Sequence, residues 1–426
     1  MGGLARRVSY IKAFKHRSNG EVPTLFVDAG NLFSDDRFSA DQLPADVMSK
    51  NKWVVKGYGN FHDDVANISY LDLPYLADLL KKEGYGKRLE EYPFMERLVS
   101  ANITPQDDQH RAPVPYIVRE IALKRGAPGQ KVRIGIVGFS EGKPLGPNAK
   151  EDLYAGYRIN DPFEAARKIL PELKKKTDFI VALAYMDVLS VQRLATENPE
   201  IDTIVGARQV SNLDEPQHYN RATITYAYNQ TKYLGEMRVY VKGDGSAENQ
   251  VNRFVALDSA IPDDPSALDV VTAAHTEFTN EQTKSAQAPP SPFSSPKPAS
   301  LLTGGDSPYV GGESCAGCHE KENQVWVNTR HAHAMATLEK KNEQFDNECV
   351  RCHVVGFEKG GFQTLYTTPQ FANVQCEQCH GPGRQHASNP GKGYGFVATP
   401  AACMQCHKEP NDPDFNFAVY WPKIKH

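Results

Sequence analysis

Cys315-Ala316-Gly317-Cys318-His319, Cys349-Val350-Arg351-Cys352-His353, Cys376-Glu377-Gln378-Cys379-His380 and Cys403-Met404-Gln405-Cys406-His407 repeat one pattern in the last quarter of the chain. Between them they take up all eight cysteines. In Cys-x-x-Cys-His, one helical turn sets two sulfurs side by side within reach of a porphyrin's vinyl groups, and the next residue reaches the iron. Cys-x-x-Cys pairs also suit tetrahedral zinc, as in two zinc ribbons. Zinc leaves the following histidine without a role. Histidine occupies 13 of 426 positions, about 3%, so four such placements by chance have a probability on the order of one in a million. The expectation is four covalently attached haem c groups.

His319, His353, His380 and His407 are then the proximal iron ligands, each fixed by its neighbouring thioether bonds. The sixth ligands come from the remaining residues of this region: His331, His333, His386 and His426, with Met335 and Met404 as thioether candidates. His331 and His333 are two residues apart on an apparent helix continuing from Trp326. They point about 200° apart and so serve different irons at most. His331 and His386 are expected to ligate, because open irons nearby would otherwise lack partners. His426 is the last residue of the sequence given, with Tyr420-Trp421-Pro422 able to anchor the tail, and His333 is read as a surface histidine. Four proximal and three distal histidines leave one iron five-coordinate.

Residues 309–426 are too few to build an ordinary core around four macrocycles, so the macrocycles themselves are the expected core. The polypeptide becomes a wrapping of short helices and loops with little strand. Ahead of it, 263–308 carries Gln287-Ala288-Pro289-Pro290-Ser291-Pro292 and Ser295-Pro296-Lys297-Pro298, the composition of a Pro/Ser-rich linker. Residues 1–262 alternate in the α/β manner. Helices are expected at 7–15, 75–82, 162–175 and 188–196, and strands at 24–27, 132–139, 179–185 and 203–206. Tyr-, Thr- and Val-rich strands at 222–228 and 233–241 close the unit with antiparallel sheet. This is a sheet covered by helices.

A formal charge of −4 argues against a nucleic-acid-binding surface, and no apolar run approaches the roughly 18 residues of a membrane span. Haem attachment to cysteine pairs in prokaryotes happens outside the cytoplasm, which calls for periplasmic or secreted export. The start, Met1-Gly2-Gly3-Leu4-Ala5-Arg6-Arg7, shows no apolar h-region, and nothing apolar follows Arg6-Arg7 to make a twin-arginine signal. A late start assignment or a processed chain accounts for this.

Tyr309-Val310-Gly311-Gly312-Glu313-Ser314 before Cys315, Trp326 followed by His331, and Cys376 through Gly381-Pro382-Gly383 with His386 resemble tetrahaem cytochromes related to the electron acceptor of hydroxylamine oxidation. The resemblance covers 309–426. It implies stacked haem pairs, mostly bis-histidine, with one iron open in some members, and it places His331 and His386 on distal positions. The ending from Phe415 to His426 is similar to the tail of cytochromes fused to phosphoesterase-like domains.

Residues 2–262 resemble the catalytic domain of 5′-nucleotidase-type metallophosphoesterases. The likeness is carried by Gly2-Gly3-Leu4-Ala5-Arg6-Arg7, Asp28-Ala29-Gly30-Asn31-Leu32-Phe33, Val99-Ser100-Ala101-Asn102, 132–139 and Ile204-Val205-Gly206. It implies an α/β layered sandwich whose relatives hydrolyse phosphate esters with two metals held by Asp, Asn and His. Residue by residue, those ligands are missing. The Gly-Asp position reads Gly30-Asn31, and Asn-His-Asp reads Tyr70-Leu71-Asp72. A strand-end histidine is Tyr185, and the Gly-His-x-His turn reads Ala207-Arg208-Gln209-Val210. Hard divalent ions need anionic oxygen or neutral imidazole ligands converging on one point, and Tyr, Leu, Ala, Arg, Gln and Val do not supply them. His62, His110 and His218 read as satisfied surface histidines, and Arg208 is a candidate for holding an anion.

The reading is a multidomain protein, an α/β metallophosphoesterase-like layered sandwich followed by a mainly α/irregular multihaem cytochrome domain. Its function is electron transfer as an extracytoplasmic tetrahaem cytochrome with redox protein partners, and the front half is a pseudoenzyme serving as scaffold or docking unit. Two alternatives stand beside it. One is a haem reductase of small nitrogen oxides or hydroxylamine at the five-coordinate iron, and the other is a metal-dependent phosphohydrolase with a haem appendage. The sequence neither supports nor opposes a homo-oligomer formed through the haem or N-terminal domains.

Overall fold

The computed structural model describes residues 3–18, 22–33, 45–60, 65–123, 129–142, 153–208, 216–226, 233–242, 247–287, 307–341, 343–344, 347–365, 368–395, 399–408, 412 and 414–426. The chain divides into two compact units, Met1–Ala274 and His275–His426.

The strands of the front unit are β1 (Val27–Asp28), β2 (Val65–Asn67), β3 (Leu98–Val99), β4 (Ile103–Pro105), β5 (Tyr116–Ala122), β6 (Lys131–Ser140), β7 (Leu153–Tyr154), β8 (Tyr157–Ile159), β9 (Phe179–Tyr185), β10 (Thr203–Gly206), β11 (Gln217–Tyr219), β12 (Ala222–Tyr226), β13 (Tyr233–Val241) and β14 (Ala247–Ala256). The main sheet runs β11-β12-β10-β9-β6-β5, parallel from β6 through β9 and β10 to β12, with an antiparallel strand at each edge. A second, parallel sheet has the order β1-β2-β3. β13 and β14 form an antiparallel ribbon.

Strand periodicity explains how the sheets stack. In β9, every residue from Phe179 to Tyr185 is buried. Ile180, Ala182 and Ala184 face a core shared with Phe163, Leu170 and Leu194, while Phe179, Val181 and Leu183 join Ala29, Val65 and Val99 of the small sheet. A continuous apolar run is what two-sided burial requires. The other face of the small sheet, with Ala66 and Ile68, packs on Val55, Leu73 and Leu76 from helices Ala45–Asn60 and Leu73–Leu79. The result is a layered sandwich of helix, sheet, sheet and helix. Helix Pro162–Lys176 starts where the sequence indicates, because the Asp161 carboxylate accepts from Phe163 N and Glu164 N at 2.7 and 3.0 Å and Pro162 occupies the first turn.

Two segments depart from the sequence reading. The strand expected at 24–27 pairs only at Val27–Asp28, on the edge of the small sheet. Within 263–308, assigned to a linker, residues Pro265–Gln287 form a helix. Its start is tied to the front unit: Asp264 caps Ala267 N at 3.1 Å and accepts from Lys12 Nζ at 2.7 Å, and Ala267 packs on Ala5 and Val8. The proline-rich stretch 289–298 lies outside the described residues.

The rear unit consists of short helical turns, and no strand occurs among its described residues beyond the isolated bridge Val354–Ala372. Its protein core is small: Tyr309, Met335, Leu338, Val350, Val354, Val355, Phe362 and Phe371.

Candidate haem sites

Each Cys-x-x-Cys-His segment closes one helical turn. The His319 and His407 amides donate to the Cys315 and Cys403 carbonyls at 2.9 and 2.8 Å, and that of His353 donates to Val350 O at 2.8 Å. The third segment is the helix Cys376–His380. Segments from different parts of the chain meet: the free thiols of Cys315 and Cys376 are hydrogen-bonded to each other, as are those of Cys352 and Cys406. The first segment therefore neighbours the third, and the second neighbours the fourth.

Three pairs of histidine rings face one another. His319 and His386 have ring centroids 6.2 Å apart, His331 and His407 6.0 Å, and His380 and His426 6.0 Å. Two imidazoles sharing a metal at about 2 Å per nitrogen, plus about 1 Å from nitrogen to ring centre on each side, have centroids about 6 Å apart. The spacing therefore fits an iron between each pair. His386 Nδ1 is buried with no hydrogen-bond partner, an arrangement that costs free energy unless a metal or other group takes the lone pair. Burial first, then the neighbouring His407 and His353 rings, hold His331 below the usual histidine range, so that it is neutral at neutral pH with a lone pair to give. A cavity is lined by Cys315, His319, Trp326, Cys376, Cys379, His380 and His426 among others, so the facing pair His380 and His426 and both the first and third cysteine segments border one space.

His353 differs from the other three. Among the described residues no second histidine ring stands across from it, and its Nδ1 lies 2.7 Å from the Ala334 carbonyl. The turn before it is set in the apolar core of Met335, Val350 and Val354, with Cys349 packed against that core. His333 is exposed, with no ring partner among the described residues. Of the thioether candidates, Met335 is buried in that core and Met404 is 54% exposed.

The supporting groups are less visible in sequence. Glu377, 4% exposed, accepts from Val310 N at 3.0 Å, Gly311 N at 2.8 Å and Gly383 N at 2.6 Å, pinning both flanking loops to the third segment. Tyr394 stacks on His386 at 4.4 Å and 9°, and its hydroxyl donates to Gly381 O at 2.9 Å. Trp326 Nε1 donates to Val374 O at 2.9 Å. Asp412 meets His407 Nδ1 at 2.6 Å, five residues along a loop with no motif to announce it.

In the front unit, other side chains occupy the positions where the resemblance puts metal ligands. Tyr70 and Tyr185 lie edge to face at 6.0 Å, and the Arg208 guanidinium stands 5.8 Å from both ring centres. Arg208 donates to Gly142 O at 3.1 Å and lies 3.6 Å from Glu141, so its charge already has a carboxylate partner. Burial pushes the Tyr185 hydroxyl up to about 12. Asn31 sits at φ 68°, and Asp72, fully buried, accepts from Asn31 N, Phe33 N, Ser69 N and Ser69 Oγ at 3.0, 2.9, 2.8 and 2.7 Å. His110 is buried rather than on the surface, bound to Asp107 at 2.8 Å and packed on Tyr157. His218 is exposed. His62, Gln209 and Val210 lie outside the described residues.

Residues 314–381 match the family described as cytochrome c554 and c-prime. The same part of the chain is similar to cytochrome c-554 of Nitrosomonas europaea, 38% identical over 95 residues, covering 18% of this chain and 40% of that protein. The front unit is similar to 2′,3′-cyclic-nucleotide 2′-phosphodiesterase/3′-nucleotidase of Salmonella typhimurium, 28% identical over 188 residues, covering 43% of this chain and 27% of that protein. It is similar also to the metallophosphoesterase YunD of Bacillus subtilis, 24% identical over 253 residues, covering 58% and 48%. The chain thus spans less than half the length of each of these relatives. Among solved structures, the sulfate thiohydrolase SoxB of Thermus thermophilus in complex with glycerol superimposes with a TM-score of 0.52 at 14% identity, covering 66% of this chain and 48% of that one; this is a likeness of fold. The cytochrome match supports covalent haem c and electron carriage in the rear unit. No helix among the described residues is long and apolar enough to cross a membrane.

Proposed function

We propose that this chain is an extracytoplasmic c-type cytochrome that carries four haems on residues 309–426 and passes electrons between protein partners, with its front unit a non-catalytic scaffold or docking unit. The three facing histidine pairs at 6.0–6.2 Å carry the reading. Haem bound at each segment supplies a one-electron Fe(III)/Fe(II) couple. The chain's own residues fix where those couples sit. His319 with His386, His380 with His426, and His407 with His331 would hold the iron from both sides at three sites, so that no ligand would have to move when charge changes. The thiol contacts between first and third and between second and fourth segments would group the haems as two neighbouring pairs. Attachment chemistry of this kind, done outside the cytoplasm, underlies the extracytoplasmic assignment.

A second reading has one observation in its favour: His353 has no histidine across from it among the described residues. An open position there would bind a small ligand, the requirement for a reductase of nitrogen oxides or hydroxylamine. One preparation separates the two readings. The full chain, exported and matured, should show four haems per chain, three of them low-spin. If carbon monoxide shifts one quarter of the reduced haem spectrum, the His353 site is open and the reductase reading gains ground. If no shift occurs, pure electron transfer stands. Fewer than four haems overturns the proposal.

A further inference from the structure

His407 closes the fourth Cys-x-x-Cys-His segment, and its ring is fixed on several sides. Nδ1 lies 2.6 Å from Asp412 Oδ2. The backbone is turned to allow this, with Asp412 N donating to Lys408 O at 3.0 Å, and the other carboxylate oxygen accepts from the Tyr420 hydroxyl at 3.4 Å. Phe415 stacks on the His407 ring at 5.0 Å and 20°, and Tyr420 meets it edge-on at 5.6 Å and 72°. That leaves Nε2 as the ring nitrogen not held by Asp412. His353 is held differently, since its Nδ1 faces the neutral Ala334 carbonyl at 2.7 Å.

A carboxylate beside one imidazole nitrogen draws on the shared proton and makes the other nitrogen a stronger donor. A stronger axial donor favours ferric over ferrous iron, and hydrogen bonding to the axial ligand is one of the levers that set a haem potential. Asp412 has a side chain only 19% exposed, so its charge acts through less water than a surface carboxylate would. The geometry points to Asp412 as a positioning residue that lowers the reduction potential of the haem held by His407 and His331, making that site the harder to reduce within the pair it forms with the His353 site. The inference rests on the axial pairing proposed above. The step is a one-electron reduction of Fe(III) to Fe(II) by the added reductant; no bond breaks, and the Nδ1 proton stays between His407 and Asp412.

The test uses the full haem-loaded chain with Asp412→Asn and Asp412→Glu, titrated with dithionite through redox mediators and followed by visible absorbance. Asparagine keeps an acceptor oxygen in place and removes the charge. One of the four reduction steps should move to higher potential while three stay put. A tenfold change in ferric preference, the lower end of the 10–100-fold effects usual for such outer partners, is about 59 mV for one electron. Glutamate should return that step toward the unmodified value. Four unmoved steps, or four that shift together, overturn the inference. So does conversion of a low-spin site to high-spin in the asparagine variant, which marks a role in holding the ligand rather than tuning it. Fewer than four haems, or an already high-spin fourth site, in the unmodified protein instead defeats the axial pairing itself.

Discussion

Asp72 is the one acidic residue retained from the Asn-His-Asp motif, and replacing it tests whether it holds loops or metals. Its carboxylate takes four donors from two loops, the stretch Asn31–Phe33 after β1 and Ser69 after β2. Asp72→Ala leaves three backbone N–H groups buried without partners, at about 1–3 kcal/mol each. Water entering the space recovers part of this, so the net loss should be about 3–5 kcal/mol, the range seen when one partner of a buried charged network is removed. Asp72→Asn is milder. Its amide oxygen can sit where Oδ2 takes three donors, and only Phe33 N faces a nitrogen. Burial pushes the Asp72 carboxyl above its ordinary range, so a neutral side chain also avoids part of the cost of burying charge. The expected loss for asparagine is about 1–2 kcal/mol. Urea unfolding read by fluorescence of Trp53, the tryptophan of the front unit, measures both variants. At about 1–3 kcal/mol/M, the alanine variant should unfold at least about 1 M earlier than the unmodified chain. A shift below about 0.5 M for alanine refutes the loop-tie argument. So does a midpoint that rises with added Mn²⁺ or Zn²⁺ in the unmodified chain but not in the alanine variant, because a ligand that binds only the folded state stabilises it.

In the rear unit, Glu377→Ala strips three backbone N–H groups of their acceptor; guanidinium unfolding followed at the Soret band should show a loss of about 3 kcal/mol, with glutamine intermediate. Equal stability of all three proteins would count against that role. The N-terminal helix Leu4–Arg17 should loosen in acid. Burial pushes the Glu236 carboxyl up, but the bonds from Arg253, Tyr10 and Arg238 outweigh it and hold it from 4.5 down to about 2, and Lys12 with Ser266 holds Asp264 from 3.8 down to about 2. Folded values below unfolded ones mean stability that is present above about pH 4.5 and is lost as pH falls toward 2. The midpoint of thermal unfolding of the front unit, measured from pH 6 to 2.5, should fall below pH 4.5; Glu236→Gln with Asp264→Asn should flatten that fall, and an unchanged slope would remove the two carboxylates from the account.

What was legible in the sequence was whatever a local period or a fixed spacing encodes. The run Phe179–Tyr185 reads as a strand because burial on two faces leaves no polar position, and helix Pro162–Lys176 announces itself through Asp161-Pro162. The Cys-x-x-Cys-His turns are legible for the same reason, since all five residues lie in one turn. Helix Ala45–Asn60 shows no clear helical period in sequence, because Gly57 and Gly59 interrupt its pattern. Helix Pro265–Gln287 is hidden in a stretch of linker composition, because its buried contact is one small residue, Ala267, and its cap, Asp264, draws meaning from Lys12 some 250 positions earlier. The pairings of His386 with His319, His426 with His380 and His331 with His407 depend on how loops return across the unit, which spacing does not encode. Asp412 was unreadable for the same reason.

In the proposed reading, the front unit is a two-metal fold that keeps its shape without the ions. A pair of divalent cations at such a centre does two physical jobs, cancelling the negative charge of the ligands and filling the space between loop ends. On that reading the charge to be cancelled has shrunk, because the amide Asn31 stands where the resemblance puts the bridging carboxylate, and a metal donor is lost where the phenol Tyr185 stands in place of an imidazole. The remaining carboxylate, Asp72, faces backbone N–H groups instead of the centre. The remaining positive charge comes from Arg208, a fixed cation set against two rings at 5.8 Å and a carboxylate at 3.6 Å. A guanidinium in that position opposes the arrival of a second cation, so restoring a single ligand, such as aspartate at 31 or histidine at 185, would set the new donor against both the rings and the charge. In the proposed reading the sandwich has exchanged a centre that needs metal for one satisfied by its own side chains, which suits a unit retained for its shape.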